Sequence, residues 1–588
     1  TVTSATKSAQ SIKDVTSNLN VITSEEIEEK QFTTIQDALN TLPGVSLTTN
    51  GGIGSQSSLR IRGNDTRSVL VLIDGVKYND YTGISGANFA NIIISDVEKI
   101  ELIKGAQSGI WGADASAGVI HIITKKPVDG FKAEVNTEIG SFDTKKYGTN
   151  LSYKGENFYT KLNVQKVKSD SFTSYAERYE KIDNNEDDSY TNRTIGLNLG
   201  LNLDDSNSID IKHKDIKSNK ETDSFSDTLG DYTKSREKLT SIRFQNKNDL
   251  LSTDIFFNKN KIDSEIQDTG TEYDGGYEEF GFNTTLKYGS KDFVTVGSDY
   301  GTYERFNDVN KKSKNKSLFI TNSNKFDDVI DGDMIITQSI RYDKYSNFEN
   351  QITGKIGIKN IHNSIKELIT SFNFGTAYNA PTLSHLYAPD ILSPYVGLIP
   401  YGNEDLTPEK TKTYDFTVEY KNLSTTIYYS EVKDYIYYDY DSDTRTYNGY
   451  SNLSGISKYK GIEISYETNV GSDTLLSFDY SRMSAKNPDN EQLHRLPNQT
   501  FKFSADYYGL TNTHIGLFGE YIGKRYNDTK KRNQNGKYTV WNSIVNYDIN
   551  KNYKVYFKVN NLFDKYYQTV NNYATSPRAF YVGLKATF

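Results

Sequence analysis

The segment 578–588 constrains the fold most strongly, because its side chains alternate strictly between two faces. All of its large apolar residues fall on one face: Phe580, Val582, Leu584, Ala586 and Phe588. A period of two predicts a β-strand, since successive side chains of a strand point in opposite directions. A strand with one wholly apolar face has to bury that face in a protein core or in a bilayer.

The composition favours many half-exposed strands over a thick aliphatic core. Only 35% of the residues are hydrophobic, yet 45 tyrosines and 28 phenylalanines raise the aromatic share to 13%. The longest apolar runs, such as 70–73, are far too short for a membrane-spanning helix. A transmembrane strand needs only about ten alternating residues, so a barrel remains compatible with this polarity.

Several classes of function are disfavoured by residue counts. A net charge of -8 gives no basic excess for binding nucleic acid, and the absence of cysteine excludes disulfides and zinc thiolate sites. The six histidines are scattered and no glycine-rich phosphate loop precedes a helix, so we expect no enzyme. No apolar leader follows Thr1, and we expect any signal peptide to have been removed.

The chain divides into two regions of different pattern. Residues 1 to about 127 predict a small α/β unit with helices at 24–30 and 34–42, whereas period-two segments follow from about 131. Alternately short and long connections indicate a barrel with long loops on one side. About 21 residues per strand predicts 22 strands and a plugged lumen, with sixteen strands or soluble β-sandwiches as alternatives. The predicted long loops are 170–192, 218–236, 262–278, 379–408, 436–454, 484–498 and 524–537.

A series of motifs resembles TonB-dependent outer-membrane transporters, both in their plug domain and in their last strands. Ala106 departs from the pattern, since the family commonly has proline there. The motifs are DAL (37–39), LPGV (42–45), LRIRG (59–63), VLIDGV (71–76), IELIKG (100–105), WG (111–112), GVIHIIT (118–124) and NLFDKYY (561–567).

The resemblance implies a mostly β fold, in which a 22-stranded antiparallel transmembrane β-barrel holds an N-terminal α/β plug domain in its lumen. The implied domains are a TonB box remnant (1–8), the plug (9–127) and the barrel (128–588). The protein would be a monomer in the Gram-negative outer membrane, in contact with lipid and lipopolysaccharide. A periplasmic binding protein would receive the ligand downstream.

The inner-membrane protein TonB would supply energy by pairing with an extended N-terminal segment. The residues that match the second half of such a TonB box are Thr1, Val2, Thr3, Ser4 and Ala5. A frayed, β-prone terminus is the alternative interpretation of this segment.

The glycine-rich loops 50–58 and 83–86 are similar to the substrate-facing loops of vitamin B12 transporters, which implies uptake of cobalamin or a related corrinoid. Gln56 and Asp65 differ in type from the vitamin B12 pattern, and glycine-rich turn chemistry alone is the alternative. The implied contact residues are Gln56, Ser58, Asp65, Ile84 and Ser85.

The same subgroup implies calcium in the early extracellular loops, since Ca²⁺ needs six to eight oxygen ligands. Acidic residues cluster at 183–188 and again at Asp223, Asp227 and Asp231. Solvated carboxylates, or bridges to lipopolysaccharide through divalent ions, are the alternatives. The residues that match the calcium pattern are Glu186, Asp188, Asp223 and Asp231.

Other ligands and architectures stay open. His385 lies where haem-transporting relatives carry an axial ligand, but the one plug histidine, His121, is away from the apical loops. Tyrosine-rich loops would suit ferric siderophores, while the plug motifs disfavour a passive porin or an adhesin. We also expect four buried plug charges to pair with the barrel: Arg60, Arg62, Glu101 and Lys104.

Overall fold

The computed structural model is a closed β-barrel with a small α/β unit, the plug, inside its lumen. It describes residues 1–588 except 82, 181, 183–185, 224–230, 268–269, 308, 394–396, 442–443 and 445. Within the described residues, no helix combines the length and apolarity needed to cross a bilayer.

The plug is built on a five-stranded sheet in the order β1-β6-β7-β4-β5, in which only the β4–β7 pair is parallel. A separate β2–β3 hairpin and three short helices cover this sheet. The plug strands are β1 (Leu19–Thr23), β2 (Val45–Thr49), β3 (Ser57–Ile61), β4 (Val69–Ile73), β5 (Val76–Lys77), β6 (Val97–Lys104) and β7 (Gly118–Thr124), and its helices are α1 (Ser24–Lys30), α2 (Ile35–Leu39) and α3 (Ser108–Trp111).

The two predicted plug helices are present, but the second is shorter than expected. Helix α1 spans the predicted residues 24–30, and the Thr23 hydroxyl caps its start by accepting from the Glu26 amide at 3.3 Å. Helix α2 ends at Leu39 rather than at Leu42. Pro43 limits the helix, because proline has no N–H to donate to the Leu39 carbonyl and disfavours helical backbone at Leu42.

The barrel has 22 antiparallel strands, which confirms the predicted count and architecture. Strand β33 closes it against β8, with Tyr581 opposite Gly140. The barrel strands are β8 (Gly130–Gly140), β9 (Thr144–Lys154), β10 (Phe158–Ser169), β11 (Tyr190–Asn202), β12 (Asn207–Glu221), β13 (Tyr232–Lys247), β14 (Leu251–Ile266), β15 (Thr271–Lys287), β16 (Phe293–Arg305), β17 (Lys311–Phe326), β18 (Gly332–Tyr345), β19 (Gln351–His362), β20 (Leu368–Asn379), β23 (Glu409–Tyr420), β24 (Leu423–Lys433), β27 (Ile456–Val470), β28 (Thr474–Lys486), β29 (Gln499–Leu510), β30 (Thr513–Ile522), β31 (Tyr538–Asp548), β32 (Tyr553–Asn560) and β33 (Ala579–Thr587).

Side-chain alternation along each barrel strand separates lipid from lumen. On β10, Leu162 and Val164 are exposed on the outside, whereas Lys161 and Asn163 are buried against the plug. The apolar face of β33 is exposed in the same way, with Val582 at 52% relative accessibility. The apolar side of segment 578–588 therefore faces the bilayer, and the buried interior of the barrel is largely polar.

The long connections lie at the extracellular end, but they contain more regular structure than predicted. The expected loop 262–278 is mostly strand, because β14 and β15 continue until only 267–270 remain between them. Two further hairpins and one helix rise from the other long connections. They are β21 (Ile391–Ser393) with β22 (Gly397–Ile399), β25 (Ile436–Asp441) with β26 (Thr446–Asn452), and α4 (Leu383–Tyr387).

Candidate functional site

The first apical loop of the plug joins β2 to β3 and points toward the extracellular connections. The Asn50 amide donates to the Gln56 carbonyl at 3.0 Å, which closes the loop. Gly54 has a φ of +80°, and a Cβ there would lie 2.1 Å from the ring of Tyr190 on β11. Close packing of glycine on this ring fixes the loop, while the Gln56 side chain stays exposed above it.

The second apical loop (80–86) lies beside a group of tyrosines that sequence reasoning did not single out. Ile84 packs against an extracellular cluster that includes Tyr401, Tyr438 and Tyr450. The Tyr438 and Tyr450 rings lie 5.1 Å apart, edge to face. Ser85, next to Ile84, is exposed. These tyrosines therefore form an aromatic surface beside the exposed tip of the second apical loop. In the sequence, only the high tyrosine count of the loops indicated this surface.

The five predicted contact residues differ in how accessible they are. Gln56 and Ser85 are exposed, and Ser58 and Ile84 are half-buried. Asp65 is half-buried and already engaged, because the Tyr435 hydroxyl donates to its carboxylate and Arg60 lies 3.4 Å away. Burial would raise the pKa of Asp65, but the nearby guanidinium groups of Arg60 and Arg67 lower it. Four of the five positions are thus at least partly exposed and remain candidates, whereas the Asp65 charge is used within the protein.

Three of the four predicted calcium ligands lie together in the extracellular loops. Carboxylate oxygens of Glu186, Asp188 and Asp223 fall within 4.8 Å of one another. Asp231 is not part of this group, although its backbone carbonyl accepts from the Thr222 amide at 3.0 Å. Three carboxylates offer up to six oxygens, which fits the donor set of a Ca²⁺ ion. Asp183 and Asp227 lie outside the described residues.

These carboxylates also hold the loop that covers the first apex. The Ser174 amide donates to Asp188 at 2.5 Å, and the Tyr175 amide donates to Asp223 at 2.9 Å. A Cβ at Gly51 of the plug would lie 2.6 Å from the Ser174 hydroxyl oxygen. Burial and the charge of Asp223 raise the pKa of Asp188 to about 6. A cation at this position would therefore act on the apex through residues 174–175.

The histidines considered for haem are not presented to the apex. His385 is buried in α4, where the Thr382 amide donates to its Nδ1 at 3.1 Å and Tyr450 packs against the ring. Burial and the charge of Arg67 lower the pKa of His385. His121 lies at the other end of the plug, 3.2 Å from the Ser4 hydroxyl. The exposed histidine beside the apex is His494, whose carbonyl accepts from Arg60 at 3.3 Å.

The predicted charge pairs between plug and barrel are half right. Arg62 makes two bonds to Glu463 of β27, at 3.0 and 3.2 Å, and Lys104 contacts the same carboxylate at 3.1 Å. The predictions for Arg60 and Glu101 were wrong, because the charge of each is paired within the plug. Arg60 pairs with Asp65 of the plug, and Glu101 pairs with Lys99 at 2.6 Å.

The segment 1–5 is folded against the plug rather than extended. The amides of Thr3 and Ser4 donate to Glu101 at 3.3 and 3.2 Å, and the Trp111 indole donates to the Ser4 carbonyl at 2.8 Å. Val2, Ser4 and Ala5 are each at most 3% exposed. The segment is therefore neither frayed nor available for strand pairing until these contacts break.

Two family models match the chain, and together they cover most of it. The TonB dependent receptor-like β-barrel model matches residues 130–562, and the TonB-dependent receptor plug domain model matches residues 11–119. Both matches agree with the closed barrel and the enclosed plug described above.

Individual relatives span the whole chain at low identity. The vitamin B12 transporter BtuB of Photobacterium profundum is 25% identical over 602 residues, covering 99% of this chain and 94% of that protein. The siderophore receptor PirA from Pseudomonas aeruginosa has a TM-score of 0.78 at 17% identity, covering 97% of this chain and 99% of the other. A mutant ferric enterobactin receptor (PfeA) from the same organism, bound to enterobactin, has a TM-score of 0.80 at 16% identity and the same coverage.

The solved structures establish the fold, whereas the family models establish what kind of protein this is. Members of the matched family work with TonB and bind small-molecule ligands, and they are not enzymes. The chain belongs to the TonB-dependent receptors, and it is a β-barrel transporter of the Gram-negative outer membrane.

Proposed function

We propose that this transporter takes up cobalamin or a related corrinoid. The observation that carries the proposal is the match along 99% of the chain to a vitamin B12 transporter. The accessible apical positions support it, because Gln56, Ser58, Ile84 and Ser85 offer amide, hydroxyl and apolar groups on two adjacent loops. A corrinoid carries amide side chains around a flat apolar ring, which suits such a mixed surface beside tyrosines.

We propose further that Ca²⁺ binds Glu186, Asp188 and Asp223 and orders the loop around Ser174. Three carboxylates within 4.8 Å of one another repel each other, and a divalent cation would relieve that repulsion. Since Ser174 lies against Gly51 of the plug, an ordered loop would close one side of the apical site. Calcium would thereby raise ligand affinity without touching the ligand.

Coupling to TonB would use the segment 1–5. Its contacts with Glu101 and Trp111 keep it folded, so a TonB strand would compete with these contacts for the backbone of Thr3 and Ser4. A ligand shifts a conformational equilibrium only when its affinity differs between the two conformations. To promote pairing with TonB, the ligand at the apex would therefore have to bind more tightly to the conformation in which the contacts of segment 1–5 are weakened.

A ferric siderophore is the second candidate, favoured by the tyrosine cluster around Tyr450. Titration of the purified protein with cyanocobalamin, with ferric enterobactin and with haem separates the candidates. We expect tight binding of cyanocobalamin only, strengthened by Ca²⁺ and weakened by Ile84→Asp. Ser472→Ala on a periplasmic turn is the matched control. Tight binding of enterobactin or haem with no cyanocobalamin binding would reject the corrinoid proposal.

A further inference from the structure

Two carboxylates and one imidazole form a cluster where helix α1 of the plug meets the barrel wall. Glu29 comes from α1, Asp506 from β29 and His514 from β30. Ligand atoms of these three side chains all lie within 4.8 Å of one another. Asp506 and His514 are buried, and Glu29 is half-buried. The cluster lies at the periplasmic end of the lumen, because the short turn 511–512 joins its two strands.

The two carboxylates of this cluster have no basic side chain to balance them. Glu28, the preceding residue of α1, pairs with Lys585 at 2.6 Å and with Lys125 at 3.4 Å. In the described part of the chain, by contrast, neither Glu29 nor Asp506 forms an ion pair with a lysine or an arginine. Carboxylates held this close repel each other, and a bound cation would relieve that repulsion.

The hydrogen bonds around His514 assign it as a neutral imidazole with its proton on Nε2. The side-chain amide of Asn546 donates to the Glu29 carbonyl at 2.8 Å, and a carbonyl can only accept. The same amide nitrogen lies 3.0 Å from Nδ1 of His514, so Nδ1 accepts as well. Nε2 lies 2.9 Å from Asp506 Oδ1 and donates to it. A change of tautomer would therefore be enough to make Nε2 a metal ligand.

Neighbouring side chains orient both carboxylates. The Ser504 hydroxyl donates to Asp506 Oδ2 at 3.2 Å, while Oδ1 faces His514. The Tyr508 hydroxyl donates to the Glu29 carboxylate at 3.0 Å, and the Tyr508 ring stacks on the imidazole with centroids 5.0 Å apart. Outer hydrogen bonds of this kind fix the direction of metal ligands in proteins.

The Asn546 side chain gives independent support for a ligand at Nε2. It is only 3% exposed, and its Oδ1 has no hydrogen-bond partner among the described residues. A buried amide oxygen without a partner is unfavourable. With an ion on Nε2, the His514 proton would lie on Nδ1, and a half turn of the Asn546 amide would let Oδ1 accept from it. The amide would exchange its bond to the Glu29 carbonyl for this one.

We propose that Glu29, Asp506 and His514 bind a divalent transition-metal ion of the Zn²⁺ type, which joins the plug to the barrel. Zn²⁺ accepts one imidazole nitrogen and two carboxylate oxygens, with water as a fourth ligand, whereas Ca²⁺ and Mg²⁺ prefer oxygen alone. Tetrahedral Zn²⁺ holds its ligands about 3.4 Å apart. That spacing lies between the 2.9 Å of the His514–Asp506 pair and the 4.8 Å limit of the cluster. The site shares no residue with the apical loops, the calcium cluster or segment 1–5.

Calorimetric titration of the purified protein with Zn²⁺ tests the site, with excess Ca²⁺ present to occupy the extracellular carboxylates. We expect one Zn²⁺ per chain, and we expect Glu29→Gln and His514→Ala each to weaken binding at least about tenfold. Glu25→Gln, exposed on the same helix, is the matched control for the carboxylate. His362→Ala is the control for the imidazole, since His362 lies 3.2 Å from Asp331 on another periplasmic turn. Equal binding by the wild type and all variants, or no binding by the wild type, overturns the proposal.

Urea unfolding measures whether the ion joins the plug to the barrel. Trp111 lies in the plug, and in a Trp541→Phe background its fluorescence follows the unfolding of the plug. We expect Zn²⁺ at about a hundred times its dissociation constant to raise the unfolding midpoint of the plug. Glu29→Gln should remove this shift, whereas Glu25→Gln should keep it. Zinc that binds but leaves the midpoint unchanged overturns the proposed link between plug and barrel.

Discussion

Replacing Glu463 by glutamine should loosen the plug while leaving the barrel intact. Glu463 is buried and accepts two bonds from Arg62 and one from Lys104. The amide keeps the shape of the side chain but removes the single negative charge that both cations share. Asp415 remains 3.7 Å from Arg62, and Lys104 still donates to the Pro43 carbonyl at 2.6 Å.

The size of the effect follows from these residual contacts. Breaking a buried pair by removing one partner costs about 3 to 5 kcal/mol. Because each cation keeps one neighbour, we expect the lower end, about 3 kcal/mol of plug stability, which is about a hundredfold in the unfolded population of the plug. Gly44 limits any rearrangement, since its backbone lies directly against the Glu463 carboxylate.

The two tryptophans make this measurable, since Trp111 lies in the plug and Trp541 in the barrel. In a Trp541→Phe background, Trp111 fluorescence during urea unfolding reports the plug alone. Glu467→Gln, exposed on the same strand, is the control and should change stability by less than about 0.5 kcal/mol. A Glu463→Gln effect below about 1 kcal/mol, or one equal to the control, would refute the reasoning.

Three further predictions concern the apex and the N-terminal segment. Asp188 has its pKa raised to about 6, so Ca²⁺ affinity measured by calorimetry should fall as pH drops through 6. The ion-free protein should instead gain thermal stability as the pH falls from about 6 to about 4, because the folded state binds the proton at a higher pH than the unfolded state does. Asp188→Asn should remove both effects. Glu101→Ala should increase ligand-independent capture by a TonB fragment, because two amide bonds and one hydroxyl bond to segment 1–5 are lost; unchanged capture would contradict this. Gly54→Ala should weaken cyanocobalamin binding at least about tenfold through the clash with Tyr190, whereas Gly471→Ala on a periplasmic turn, also at positive φ, is the control.

The barrel could be predicted from the sequence because the side-chain pattern that specifies each strand is local. Alternation along segments such as 158–165 specifies which residues face lipid, and the spacing of turns gives the strand number. The ends of the strands were less predictable. Polar residues of 262–278 look like loop, yet they form β14 and β15, because strands that project beyond the membrane no longer need an apolar face.

Pairing across the lumen could not be read from the sequence in the same way. Arg60 and Arg62 are two positions apart on one strand and its turn, yet one pairs with Asp65 of the plug and the other with Glu463 of the barrel. Which carboxylate each arginine pairs with depends on how the plug is rotated within the barrel. That orientation is set by the whole fold and not by the local sequence. The carboxylates of Glu186, Asp188 and Asp223 came together as expected because they sit at the ends of neighbouring strands.

Closure of the barrel by β33 against β8 has a consequence for folding kinetics. The Phe588 amide donates to the Ala133 carbonyl at 2.8 Å, so the seam joins the two sequence ends of the barrel. Contacts so distant in sequence form slowly, because a very long loop must close first. A barrel with an open seam exposes unpaired strand edges on β8 and β33, which are sites of aggregation. Because the finished barrel encloses the plug, we expect the plug to enter the lumen before the seam closes and closure to be the last step of assembly.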